Sequence, residues 1–264
     1  LAGSPSFKKG GTMNRQAIIL NTIVFQEQLE QGLGQADLLE LVQALGLKRL
    51  EIRSEFLRGG QEELRDIRRR ADELGIALFY SANVDFLQGD SVNPALAKYC
   101  QEAEQLGAPF LKVNIGDAGA ISRETLEKWW TSFSPKMDIR LENNQDPLTA
   151  RLTNCQRVME LIQEAGLPLS FIFDTANWVF VGDSPLEAAE LLASVTTYLH
   201  CKNVKQEGET LQVSSFFDGE LDLVSLIKAF PNLEYLALEY PASVQQLAAD
   251  LVQLEELELS SLSL

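Results

Sequence analysis

Eight times along the chain a short apolar run gives way to a longer segment with helical spacing, and this alternation limits the folds open to it. The apolar runs are residues 17–24, 47–52, 76–82, 109–115, 137–144, 170–174, 196–200 and 233–239. Each is long enough for a buried strand and too short for a helix. Between and after them, helical patterns cover 35–45, 61–74, 93–106, 122–133, 148–165, 185–193, 221–230 and 243–257. Gly46, Gly75, Gly107 and Gly166 stand where the first, second, third and fifth of these stop, as helix-terminating glycines do. Alternating units with short connections imply parallel strands joined by right-handed crossovers. Eight such units in about 250 residues fit a closed barrel. A doubly wound open sheet would carry a glycine-rich turn after its first strand, and Asn21-Thr22-Ile23 is not one. The expectation is an α/β fold, a single (β/α)8 TIM barrel over residues 13–264. Residues 1–12, which precede Met13 without periodic pattern, read as an expression leader. The polar stretch from Lys205 to Ser215, with Glu207-Gly208 at its centre, predicts a small hairpin or lid.

The last four runs share a second property: each stops on a side chain that can bind a metal. They end at Glu142, Asp174, His200 and Glu239, in steps of 32, 26 and 39 residues. In a barrel these come from four neighbouring strands, at the end where barrel enzymes place their chemistry. A lone acid at a strand end is ordinarily a loop cap, and a lone histidine is ordinarily structural. Four together, including the only histidine of the chain, point to a shared site. Three carboxylates packed together cannot all stay ionised without a counter-charge, so a cation or raised pKa values must follow. Three oxygen donors and one imidazole suit one divalent ion, Mn²⁺, Mg²⁺ or Co²⁺, better than a closed structural Zn²⁺ site.

Composition excludes several function classes. The formal charge is -16, and the sequence pI is about 4.5. Such a chain repels phosphate backbones, so no nucleic-acid partner is expected. Arg65, Arg68, Arg69 and Arg70 alternate with acids on a helix and read as a solvated face. Cys100, Cys155 and Cys201 have no paired spacing, which fits free thiols and a cytoplasmic location. No apolar run approaches membrane-spanning length, so no membrane partner is expected.

Strand ends reading L-E-N-N, F-D-T-A-N, L-H-C-K-N and L-E-Y, with G-E-L-D after the seventh strand, resemble the xylose isomerase-like barrel superfamily of sugar (phosphate) isomerases, epimerases and related dehydratases. The likeness runs from Met13 to the end. Overall likeness, carried by no single residue, also sets the chain near an epimerase associated with 2-ketogluconate use in pseudomonads. The resemblance implies that Glu142, Asp174, His200 and Glu239 bind one divalent ion. It further implies that Glu142 and Glu239 are the catalytic acid and base on opposite sides of a small carbohydrate. The chemistry expected is proton abstraction next to a carbonyl, through a metal-stabilised enediolate, on a ketose, sugar phosphate or sugar acid. A homodimer is also compatible with the family.

Two departures bear on the substrate. Ketose 3-epimerases of this group commonly carry His three residues after the sixth-strand Asp and Arg six after the seventh-strand His. Here those places hold Asn177 and Gln206, and Asn203 replaces the acid of a frequent H-x-K-D pattern. Asn177, Lys202 and Lys112 are the candidate substrate-binding residues. The two lysines would suit an anionic sugar, against the alternative of surface lysines. Trp178 is either a pocket wall or core, with core favoured. Glu51 and Arg53, near the end of the second strand, read as structural ion pairs with neighbours rather than as lining of the mouth. The close alternative function is a metal-dependent dehydratase of an inosose-like or hydroaromatic substrate, which begins with the same proton removal. The superfamily's abasic-site endonucleases use several zinc ions, many histidines and a basic surface, which this chain lacks. A non-catalytic sugar-binding barrel is the remote alternative.

Overall fold

The computed structural model describes residues 14–134 and 136–257. The leader expected over residues 1–12 lies outside them. Eight parallel strands close into a barrel: β1 Ile18–Asn21, β2 Arg49–Arg53, β3 Ala77–Gln88, β4 Phe110–Gly116, β5 Asp138–Glu142, β6 Ser170–Asp174, β7 Thr196–Cys201 and β8 Tyr235–Leu238. Closure is made by β1, which pairs in parallel with both β2 and β8. The principal helices are α1 Leu38–Ala44, α2 Gly60–Leu74, α3 Leu96–Leu106, α4 Arg123–Phe133, α5 Leu152–Glu164, α6 Pro185–Leu192, α7 Leu223–Ile227 and α8 Val244–Glu256. Gly75 and Gly107 end α2 and α3 at φ 65° and 67°, a left-handed backbone that glycine adopts without the Cβ penalty. No helix among the described residues is long and apolar enough to cross a membrane.

Side chains alternate across each strand, and the two faces carry different chemistry. Ile18, Leu20, Leu50, Ile52, Leu111, Val113, Leu199 and Leu238 pack outward into the layer shared with the helices. Ile19, Phe79, Phe110, Ile172, Tyr198 and Ala237 form a separate cluster inside the barrel. Its rings are edge-on or tilted, with centroids 5.6 Å apart for Phe79–Phe110 and 5.5 Å for Phe110–Tyr198. The Arg140 guanidinium lies 4.1 Å from the centre of the Phe110 ring and 5.1 Å from that of Tyr235. It also donates to Glu234 and Thr197. The amino-terminal half of the barrel is thereby filled with aromatic rings and a stacked cation, and polar side chains gather at the other end.

Several boundaries move by one to three residues and α7 keeps only Leu223–Ile227 of the expected 221–230; three other elements differ for a local reason. The first strand stops at Asn21 rather than running to Val24. The Asn21 side chain accepts from the Ile23 amide at 3.0 Å and starts a 3-10 turn over Thr22–Phe25, followed by a short helix, Gln26–Glu30. That turn buries Val24 and Phe25 in the outer layer. β3 runs to Gln88 instead of ending at Ala82, because its pairing with β4 shifts between Ser81 and Asp85 and then continues. α5 begins at Leu152, since Asp146 ties up the Leu148 and Thr149 amides in a turn. The expected hairpin is present as Asn203–Glu207 paired with Thr210–Ser214.

Replacing Phe110 with Ala should cost about 3–5 kcal/mol, because the surrounding rings cannot close the space. Leu148→Ala, at a site 82% exposed, should stay within about 0.5 kcal/mol. Urea unfolding midpoints of the two variants measure the contrast.

Candidate metal centre

Period-two alternation places the inward side chains of the strand ends in one layer above the aromatic filling. Glu142 ends β5, Asp174 ends β6, His200 lies on β7, and Glu239 follows β8. All four are buried, and one donor atom from each lies within 4.8 Å of the others. His200 Nδ1 is 2.5 Å from Glu142 Oε1 and 3.3 Å from Glu239 Oε2.

The residues next to these strand ends have a structural use. Asp174 Oδ1 accepts the Ala176 and Asn177 amides at 3.0 and 2.9 Å, which aims Oδ2 elsewhere. Asn143 bridges β5 to β6 by donating to the Asp174 carbonyl and accepting from its amide. The Thr175 hydroxyl donates to the Lys202 carbonyl at 2.6 Å, tying β6 to β7. Asp174 is therefore fixed by its own loop amides and by Asn143, and the ends of β6 and β7 are joined through Thr175.

Cations answer the acids. Lys112 pairs with Glu142, and Lys202 Nζ is 2.7 Å from Asp174 Oδ2 and 3.2 Å from Glu239 Oε2. Arg53 Nη1 donates to Glu239 Oε1 at 2.7 Å. Burial alone would raise Glu142 and Glu239, but Lys112 and His200 overrule it at Glu142, holding that carboxyl below its usual range. At Glu239, Lys202, His200 and Arg53 do so more strongly. Asp174 goes the other way: burial, with Glu239 and Glu142 adding, pushes it up to about 7 against the pull of Lys202. For His200, burial favours the neutral ring, yet Glu51, Glu239 and Glu142 hold its pKa well above the ordinary value.

Eight buried side-chain polar atoms among the described residues lack a hydrogen bond, and three of them, Glu142 Oε1, Asp174 Oδ2 and His200 Nδ1, meet here with ion-pair contacts alone. Orphaned buried polar atoms are rare and call for an explanation. These three belong to three of the four clustered residues, and with Glu239 they form an oxygen-rich donor set that fits a divalent ion. The expected ligand set thus comes together as a cluster able to hold a metal.

Above the cluster lies a cavity of about 460 Å³, lined among others by Arg53, Asn83, Lys112, Asn114, Gln145, Asn177 and Lys202. Lys112, Lys202 and Asn177 are not surface residues; all are buried at its wall. Asn177 donates to the Asn143 carbonyl and accepts from Gln145, so part of its polarity is spent on the loop. Trp178 is core: it is fully buried, with its ring centroid 5.3 Å from that of Phe173. Gln206 is exposed on the hairpin and does not line the cavity. Asn203 fastens the hairpin's base, accepting from the Leu221 amide and donating to the Phe216 and Leu221 carbonyls.

Arg53 corrects the expectation from sequence, whereas Glu51 does not line the cavity and is paired with His200. Arg53 does pair with its neighbour Glu55 at 2.7 Å, but it also reaches Glu239 and lines the cavity. Glu51 is fully buried beneath the cluster, against His200. The signal was available in R-L-E-I-R, where charge falls at every second place of a buried strand, on the inward face.

No family description and no curated protein matches the sequence. Solved structures do match its fold. The probable 3-DHS dehydratase AsbF, involved in petrobactin synthesis in Bacillus anthracis, is 15% identical at a TM-score of 0.65, covering 90% of this chain and 98% of that one. The IolI protein with a bound zinc atom is 15% identical at 0.63, covering 91% and 95%. An L-ribulose 3-epimerase is 14% identical at 0.59, covering 89% and 86%. The architecture they share with this chain is the xylose isomerase-like TIM barrel. That is the class the fold defines.

Taking up a divalent ion requires Asp174 ionised and His200 with a free lone pair at Nδ1. Asp174 gives up its proton near 7 and His200 above its ordinary value, so binding should release protons and tighten as pH rises. Each released proton corresponds to about tenfold in affinity per pH unit. The gain is steeper where both groups are protonated and shallower once Asp174 has ionised, near 7. Titration calorimetry with Mn²⁺ in buffers of different ionisation enthalpy reads the proton count, and a pH-independent affinity contradicts it.

Proposed function

We propose that the protein is a divalent-metal-dependent isomerase or epimerase of a ketose, sugar phosphate or sugar acid, working by removal and return of a proton next to a carbonyl. The convergence of buried donor atoms from Glu142, Asp174, His200 and Glu239, all within 4.8 Å of one another, carries this reading. Glu142, Asp174, His200 and Glu239 would hold the ion. When bound, it supplies the positive charge that polarises a carbonyl and acidifies the adjacent C–H.

The remaining work falls to the chain's own groups. Glu142 and Glu239 are held ionised by their cationic neighbours, so either carboxylate can accept a carbon-bound proton. Delivery of a proton to the opposite face by the other glutamate, which must carry one in the reacting state, gives an epimer and leaves the abstracted proton on the first glutamate. Return to the neighbouring carbon gives the isomer. Low exposure of both carboxylates keeps bulk water from competing for the proton.

Two lysines at the cavity wall favour an anionic group on the sugar. Glu51, Glu142, Asp174 and Glu239 are opposed by Arg53, Lys112 and Lys202, and Asp146 also lines the cavity. A divalent ion would bring this set to neutrality, with His200 neutral. Lys112 and Lys202, relieved of part of their pairing, would then face a carboxylate or phosphate. A dehydratase is the second reading, supported by the fold match to the probable 3-DHS dehydratase; it starts with the same proton abstraction and ends with loss of a hydroxyl.

Incubation with candidate ketoses and sugar acids in deuterated water, with Mn²⁺, should give carbon-bound deuterium in a substrate-like product, and a chelator should stop it. A dehydrated product assigns the second reading, and no exchange with any panel member opposes both. Glu142→Gln and Glu239→Gln should each lower the exchange rate by about 10²–10⁴. Lys112→Met should raise KM for an acidic sugar more than for its neutral counterpart, which steady-state kinetics on matched pairs would measure.

A further inference from the structure

The His200 ring is approached from two sides by carboxylates, and only one side belongs to the ligand cluster. Nδ1 faces Glu142 and Glu239. Nε2 faces Glu51, at 3.1 Å from Oε1 and 3.3 Å from Oε2. Glu51 is 0% exposed, and among the described residues its only cationic partner is His200. Its other partners are both donors. Asn21 Nδ2 gives it a hydrogen bond of 2.6 Å and the Tyr198 hydroxyl one of 2.7 Å. The amide of Asn21 cannot be turned round, because its Oδ1 already accepts from the Ile23 amide.

We infer that Glu51 is a positioning residue for the metal centre, fixing His200 as the tautomer protonated at Nε2 so that the Nδ1 lone pair points into the Glu142, Asp174 and Glu239 cluster. Carboxylate oxygens face both ring nitrogens, but Glu51 stands outside the ligand cluster, so an ion taking the Nδ1 side leaves the ring proton on Nε2 against Glu51. The other nitrogen, Nδ1, is the one that faces the cluster. Tyr198 completes the restraint. Its hydroxyl anchors Glu51, and its ring stands edge-on to the imidazole at 4.8 Å and 87°. The ligand is thus oriented from below by the aromatic filling of the barrel, through Tyr198 and Glu51. This inference rests on the proposal that the cluster takes a divalent ion.

Because His200 is the only histidine, protein labelled with ¹⁵N at histidine shows one ring and nothing else. In the Mg²⁺- or Zn²⁺-loaded protein its spectrum should show the proton on Nε2 and a metal-shifted Nδ1. Glu51→Gln, which presents an amide to three donors, should weaken Mn²⁺ binding by calorimetry about 10- to 100-fold and mix the tautomers. Tyr198→Phe, which leaves every ligand and Glu51 in place, should give a smaller loss in the same direction. A wild-type ring protonated at Nδ1 overturns the inference. So does a Glu51→Gln protein that keeps both the wild-type spectrum and its Mn²⁺ affinity within about twofold, while wild type binds normally. Should wild type bind no Mn²⁺, Mg²⁺ or Zn²⁺, the metal reading and this inference fall together.

Discussion

Mutual repulsion among buried carboxylates governs the upper half of this barrel. Glu51, Glu142, Asp174 and Glu239 lie under 10% exposed within one layer of side chains, where each charge is poorly screened and expensive to keep. The chain answers with Arg53, Lys112 and Lys202, brought in from three different strand ends. The compensation is incomplete. Asp174 is pushed toward its neutral form and His200 toward its charged one, as expected where acids outnumber fixed cations. A divalent ion at the same place would relieve both.

The lower half makes that layer possible. Charged side chains need rigid support to remain in one arrangement, and here they rest on interlocked rings rather than on aliphatic side chains. Phe79, Phe110, Tyr198 and Tyr235 contact one another, and Arg140 is stacked into them. Tyr198 belongs to both layers: its ring is part of the filling and its hydroxyl meets Glu51.

Much of this was legible in the chain. Eight alternating units gave the barrel, because strand and helix periods differ enough to be told apart. The four ligands were legible because each ends an apolar run, so a polar residue interrupts the pattern where a strand must meet solvent. Glu51 and Arg53 were harder, since no such interruption marks them; they sit inside a strand whose inward face is polar throughout. Asn21, Asn143 and Thr175 were not found, because nothing in a single Asn or Thr says which strand its amide or hydroxyl will bridge. The same holds for Asp146, whose turn delays α5 by bonding two amides just beyond it. Asn203 shows how a departure from a family pattern can be absorbed: it serves as a fastener at the base of a hairpin rather than as an acid in the site.

A barrel filled with rings at one end has a single doorway. Whatever enters past Lys112 and Lys202 cannot leave through the floor, where Phe79 and Phe110 are 3% exposed or less. Anything admitted and anything released therefore use the same passage in turn, and the vestibule must empty before it can refill. For a reaction whose two sides are near-identical sugars, each competes with the other for that passage, so net flux would follow their relative concentrations outside.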